Sequence, residues 1–309
     1  MSVTVGIPRG LVFHPYGSIW RGFFEEMGVA FELSPPTDRK VLEQGVAACV
    51  SEACLPLKAW FGHLLALRGR ADWVLAPRYR SVSRREWMCP KIGGMPDMAR
   101  TVPGLPPVLD PDINCHDRED GSLRAALWTA DRLGLDRKKA RAAHDWAVQR
   151  YLMDRAAQAV PFRPDGPRPA GGRILLLGHR YLVGDPFLNM DAARRLRALG
   201  AEVVTMDRYD GRTLRQAAEG LAKPLFWQIG AETVGCAELL ARQADVDGVL
   251  FLTCFGCGPD SFAGSMAQRR LRRAGVPFAF LSLDEHTAPA GLDTRLEAFL
   301  DTVRWRREA

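Results

Sequence analysis

The sequence predicts an α/β protein of two lobes, each built on a parallel sheet, and three observations carry that prediction. Short apolar runs alternate with amphipathic stretches at helical spacing along the whole 309-residue chain. That rhythm belongs to βα units joined by right-handed crossovers. It breaks once, at residues 160–172 (VPFRPDGPRPAGG), where 4 prolines and 3 glycines exclude both a helix and a central strand. In both halves, cysteines fall soon after a strand or at the start of a helix, on the edge where open α/β sheets bind ligands. The expected organisation is an N-terminal lobe over 1–160, a Pro/Gly linker over 161–172 and a C-terminal lobe over 173–309. Both lobes are Rossmann- or flavodoxin-like, with the natural site in the cleft between them.

Each element follows from its residues. Residues 3–8 (VTVGIP) read as the first strand and 16–27 as a helix, whose stripe of Ile19, Trp20, Phe23 and Phe24 ends at Gly28. Residues 29–33 make the second strand, and Asp38 caps a helix carrying Val41, Leu42 and Val46. The turn at 51–58 (SEACLPLK) opens a helix through residue 67 that contains His63, and Cys49 lies within the helix before it. A buried strand at 73–77 leads into an arginine-rich loop over 78–87 and then Met88-Cys89-Pro90. A short strand at 107–111 and helices at 123–133 and 138–159 complete the lobe. The second lobe repeats the pattern with strands at 173–178, 202–206, 248–252 and 277–283. Its helices are expected at 187–199, near 212–221, at 230–244, 260–274 and 294–306.

Composition excludes several classes. Hydrophobic residues make up 47% and charged residues 25%, as in an ordinary soluble globular protein. No run approaches the ~18 apolar residues of a membrane helix, and the N-terminus reads as a strand rather than a signal peptide, so a cytoplasmic location is expected. The 7 cysteines (Cys49, Cys54, Cys89, Cys115, Cys236, Cys254, Cys257) are odd in number and widely spaced, unlike a secreted disulfide framework. A single C-x-x-C with no C-x-x-C…H-x-x-x-H argues against a zinc ribbon or finger. The net charge of +6 sits largely on amphipathic helices among acidic residues, with no basic tail, so no nucleic-acid partner is expected.

The most informative stretch is Thr253-Cys254-Phe255-Gly256-Cys257-Gly258-Pro259-Asp260-Ser261. Two cysteines and two glycines leave the carboxyl end of a buried strand. Gly256 and Gly258 permit positive φ and close approach to a bulky group, while Pro259 and Asp260 suit a helix start as N1 proline and capping carboxylate. The motif fits two readings: half of a metal or iron–sulfur site, or a buried cysteine pair packed in a tight turn.

Five segments, in order, are similar to one family: VGIPR, SEACLPLKAWFGH, MCP with GGMPD, CFGCGPDSF, and LSLDEHT with TRLEAFLD. The chain resembles the acyl-CoA dehydratase activase-related proteins, which are related to the iron–sulfur subunits of 2-hydroxyacyl-CoA dehydratases and benzoyl-CoA reductases. The resemblance implies two α/β lobes holding a [4Fe–4S] or double-cubane cluster between them. It also implies electrons delivered at low potential by an ATP-hydrolysing activator, and a homodimer by analogy with two-subunit relatives. Carried over residue by residue, it marks Cys54, Cys89 and Cys257 as ligands, with Cys254 as a fourth or neighbouring one. A double cubane on six thiolates would need Cys115 and Cys236 as well. Thiolates suit iron as soft, anionic ligands. The chain has no phosphate-binding loop with its lysine and no recognisable coenzyme A segment, so ATP hydrolysis is not expected of it and the small-molecule substrate stays open.

Other residues carry both a functional and a plain reading. Glu285 and His286 end a strand on the ligand-binding edge, as proton donors or as braces of the turn. His179 and Arg180 follow the first strand of the second lobe, where a helix start can hold an anion or a small substrate, or a plain loop needs no ligand. His63 and Lys58 lie on the helix after Cys54 and read as satisfied structural residues before ligands. Arg78, Arg80, Arg84 and Arg85 are a docking surface or a solvated loop. The competing functional class is a non-redox scaffold whose cysteines hold zinc or nothing.

Overall fold

The computed structural model describes residues 3–159, 168–243 and 245–308. They form two compact units, one reaching Asp154 and including Phe226–Gln228, the other comprising Arg155–Leu225 and Ile229–Ala309. Residues 160–167, on which most of the expected linker falls, lie outside the described residues. No helix among those described is long and apolar enough to cross a membrane.

The first unit runs β1 (Thr4–Ile7), α1 (Phe13–Met27), β2 (Ala30–Leu33), α2 (Arg39–Ala48), α3 (Leu55–Leu65), β3 (Trp73–Leu75), β4 (Arg78–Ser81), α4 (Pro90–Gly93), α5 (Met95–Arg100), β5 (Val108–Leu109), β6 (Asp112–Asn114), α6 (Gly121–Arg132) and α7 (Arg137–Gln158). Its main sheet is parallel with order β2-β1-β3-β5. The α1 stripe of Trp20, Phe23 and Phe24 packs edge-on within itself and is buried in the core. Asp38 caps α2, its Oδ1 accepting from the Val41 amide at 2.7 Å. The next helix, α3, crosses α2 at backbone contact. A Cβ on Gly45 would lie 1.9 Å from the Lys58 carbonyl oxygen, and one on Gly62 would lie 1.8 Å from that of Val41. Only glycine admits this approach, which fixes the hairpin carrying Cys49 and Cys54.

The second unit runs β7 (Arg173–Gly178), α8 (Arg180–Val183), α9 (Ala192–Ala198), β8 (Glu202–Thr205), a 3-10 turn (Met206–Arg208), α10 (Gly211–Ala217), α11 (Gln228–Gln243), β9 (Gly248–Cys254), α12 (Gly258–Arg273), β10 (Phe278–Leu283) and α13 (Pro289–Glu308). All four strands are parallel, in the order β10-β9-β7-β8. Every residue of β7 and β9 is buried, as expected of strands covered on both faces. Leu175, Leu177, Leu240, Phe251 and Leu271 make the core of this unit.

Several sequence expectations need correction. The loop expected over 78–87 begins instead with a strand, because β4 pairs in parallel with β6; the turn follows it. Tyr79 and Ser81 point inward, while Arg78 and Arg80 alternate outward to Asp97 and Asp112. The 187–199 helix begins only at Ala192. The Asp185 carboxylate takes the amides of Phe187 and Leu188, and the Asn189 side chain donates to the Leu182 and Val183 carbonyls. Those local bonds replace a helical ladder. Cys49 sits just past α2 as its C-cap rather than inside it. Cys254 closes β9 instead of lying on the turn. Of the two turn glycines, Gly256 has φ +76°, whereas Gly258 opens α12.

Candidate functional site

In the second unit, β7 is flanked by β8 on one side and β9 on the other, so the chain leaves its first strand toward both edges of the sheet. Such a reversal opens a crevice at the carboxyl ends of the two central strands. Gly178 ends β7 at φ +155°, and a Cβ there would lie 2.5 Å from the Leu252 carbonyl oxygen of β9. The close approach brings His179 beside the Cys254–Cys257 turn. Its Nε2 is 2.7 Å from Asp260 Oδ1 and 3.8 Å from Cys257 Sγ. The other oxygen of Asp260 accepts from Thr253 Oγ1 at 3.2 Å. Tyr181 stacks on the imidazole, with ring centroids 4.6 Å apart. His179 is 4% exposed and Asp260 2%, while Cys257 is half-buried.

One nitrogen of His179 therefore faces both the carboxylate and the thiol. In a Cys–His–Asp nucleophile the base uses its two nitrogens for its two partners, so this group is not a proton relay of that kind. Its donor atoms converge on one point. The sequence predicts Asp260 as a capping carboxylate. Cys257 is instead the N-cap of α12, and Asp260, one turn in, points back to the strand end. Spacing alone signals this, because Cys257 and Asp260 stand at i and i+3 on one helix face.

The first unit offers a different set of thiols. Its β1/β3 crevice is filled by Phe13, Trp20, Trp60 and Tyr79, which leave a cavity of ≈ 20 Å³. Cys54 and Cys89 lie instead at the N-caps of α3 and α4, each followed by a proline in the first turn, as is Cys257. Burial pushes the Cys54 thiol above its ordinary range, opposed by the Leu57 amide and by Lys91. Cys54 and Cys89 lie close enough to interact electrostatically. Cys49 is likewise raised, chiefly by burial, and feels Lys58, Cys54 and Lys91.

The remaining cysteines are enclosed. Cys254 is 4% exposed and stands opposite Leu283 in the sheet. Cys115 is buried beneath the start of α6, where burial raises its thiol against the Ser122 and Gly121 amides. Cys236 is fully buried among leucines, and burial drives its thiol far above the ordinary range.

The other predicted residues divide as follows. Arg180 is committed to ion pairs with Asp207 at 2.6 Å and Glu232 at 2.8 Å, which Arg155 and Arg215 also join. Burial works against the Asp207 charge but is outweighed by Arg180 and Arg155, which hold its carboxyl below the usual range. Glu285 and His286 follow β10, whose end pairs with that of β9. The Glu285 side chain is mostly covered, whereas that of His286 is 85% exposed. His63 is buried with both nitrogens occupied, Nδ1 at 3.0 Å from Ser34 Oγ and Nε2 at 3.1 Å from Thr37 Oγ1. Arg78 and Arg80 line a polar pocket of ≈ 400 Å³ with Asp112, Arg124 and Trp128.

The model of the CoA enzyme activase uncharacterised domain matches residues 4–208, most of the chain. The chain belongs to that family. A second model, of the 2-hydroxyglutaryl-CoA dehydratase D-component, matches residues 165–303 and spans His179, Cys257 and Asp260. Comparison with curated proteins finds no match. The chain is thus an activase-related protein, related to acyl-CoA dehydratase components. Its first match covers the Cys54 and Cys89 helices, and its second covers the Cys254–Cys257 turn.

Proposed function

We propose that this protein binds a [4Fe–4S] cluster and passes low-potential electrons to, or reduces, a small molecule. The observation that carries the reading is the shared setting of Cys54, Cys89 and Cys257. Each is half-buried at a helix N-cap, followed by proline in the first turn. Helix starts present backbone N–H groups, and at Cys54 the Leu57 amide opposes the burial that disfavours the thiolate. Soft thiolates in that setting suit iron.

The ligands put forward are Cys54 and Cys89 in the first unit and Cys257 in the second, with Cys254 beside it. Burial of Cys254 within β9 favours the three-thiolate arrangement, which leaves one iron of a cubane without a cysteine and suits a catalyst rather than a carrier. The donor set does not fit a double cubane. That cluster would draw on Cys115 and Cys236, and Cys236 is sealed in the core. Glu285 remains the proton donor we favour on that sheet edge, with His286 exposed beside it. The electron source is taken to be an ATP-hydrolysing activator, in keeping with the activase family match. Gly256, Gly258, His179 and Arg180 surround the cofactor on this reading, with Arg180 bracing through Asp207 and Glu232.

Cys257→Ala tests the assignment directly. Anaerobically purified variant protein is expected to lose its iron and its visible absorption. A variant retaining full iron and an unchanged spectrum would remove Cys257 from the ligand set.

A further inference from the structure

We infer that the second unit by itself holds a single borderline-soft divalent ion of the zinc or iron(II) class, on Cys257 Sγ, His179 Nε2 and the Asp260 carboxylate. The inference rests on residues of that unit alone and goes beyond the cluster reading. It shares Cys257 with that reading, so the single ion occupies the site in protein that carries no cluster on this thiol.

Three donor atoms of different chemistry, one from each residue, lie within 4.8 Å of one another. In a tetrahedral site with metal–ligand bonds of about 2.0 to 2.3 Å, neighbouring donors stand roughly 3.2 to 3.6 Å apart. The separations of 2.7 Å from Nε2 to Asp260 and 3.8 Å from Nε2 to Cys257 bracket that range. Shifts of about half an ångström would bring both His179 separations into that range, and the Cys257 and Asp260 donors lie within 4.8 Å of each other.

The surroundings point the same way. Thr253 holds the second carboxylate oxygen of Asp260, in the manner of the outer hydrogen bonds that orient metal ligands. Tyr181 backs the imidazole, and Gly178 admits His179 to the crevice. The ring is also turned at a cost to itself. Nδ1 is buried and has no hydrogen bond among the described residues, while Nε2 is aimed at both the carboxylate and the sulfur. A histidine serving only as a hydrogen-bonded core residue would divide its two nitrogens between two partners, as His63 does.

The donor set selects the ion. Thiolate and imidazole disfavour magnesium and calcium, which take oxygen ligands. Three protein ligands leave a fourth position, and of the three residues Cys257 is the one only half-buried. An open fourth position suits a site that takes water or a small ligand rather than a closed structural centre.

The test uses the full-length chain with Cys54→Ser and Cys89→Ser, which lacks the first-unit thiols of the proposed cluster. Cobalt(II) titrated anaerobically into this protein should bind at one ion per chain, with a thiolate-to-cobalt charge-transfer band and the intense visible bands of a tetrahedral ion. Adding Cys257→Ala should abolish the charge-transfer band. His179→Gln and Asp260→Asn should each weaken binding at least tenfold, with circular dichroism of the metal-free variants confirming that they are folded. No stoichiometric binding, or binding unaltered by His179→Gln and Asp260→Asn in folded protein, overturns the inference. Iron and sulfide in the unmutated protein report on the cluster reading separately, so either can fail alone.

Discussion

Lowering the pH should loosen the first unit through His63. Burial disfavours the imidazolium and takes its pKa from 6.5 to about 4, with His14 and Arg9 adding to the shift. Ser34 and Thr37 occupy both ring nitrogens. The unfolded chain therefore takes up the proton at a higher pH than the folded one. Stability is complete above the unfolded value and falls as the pH drops through the window between 6.5 and about 4. For those two values the loss on going from pH 7 to pH 5 is about 2 kcal/mol. His63 ties α3, the helix that Cys54 caps, to the end of β2, so the loss falls on the support of that thiol. Urea unfolding followed by tryptophan fluorescence is the assay, because of the 8 tryptophans only Trp305 lies outside the first unit. The unmutated protein should lose about 2 kcal/mol more between pH 7 and pH 5 than His63→Gln does. Equal losses in the two proteins would refute the assignment of a buried neutral imidazole.

The remaining predictions concern the frame and its thiols. Gly45→Ala places a methyl group against the Lys58 carbonyl oxygen, a backbone atom that no rotamer change can move. It should destabilise the first unit by about 3 kcal/mol, read as a lower urea midpoint, and should reduce metal content at Cys54. Cys236→Ala should leave iron and spectrum unchanged, since that thiol lies in the core among Leu175, Leu240 and Phe251. Loss of iron in that variant would revive the six-thiolate cluster. His286→Ala should leave iron content and stability as they were, given the 85% exposure of its side chain. A drop in turnover there, with the cluster intact, would mark it as a proton donor.

How much of this was legible in the sequence depended on whether local chemistry or distant neighbours decided the outcome. The run from Gly248 to Leu252 announced a strand buried on both faces, and Asp38 announced its cap, because the signals lie within a few residues. The strand at Arg78–Ser81 was hidden, since two arginines mask a two-residue alternation that only pairing with Asp112–Asn114 makes visible. The helix before Ala192 failed for a similar reason, as Asp185 and Asn189 spend their side chains on nearby backbone. At the site, the glycine-rich turn of Cys254 and Cys257 is legible in the sequence, whereas how deeply each cysteine is enclosed is not. Cys236, inside α11, is sealed in the core while Cys257, at the start of α12, is half-buried, and that difference is set by tertiary packing. The role of Asp260 was misread because capping is the commoner use of a carboxylate at that position. Only the Gly178 approach, a tertiary contact between β7 and β9, brings His179 within 2.7 Å of it.

The most direct test of the central claim is iron and acid-labile sulfide per chain after strictly anaerobic purification, with a visible spectrum before and after dithionite. About four irons and matching sulfide, with a broad band that bleaches on reduction, is the expected result. Zinc alone, or no metal after reconstitution with iron and sulfide, would contradict it and leave a two-unit α/β metal- or ligand-binding protein.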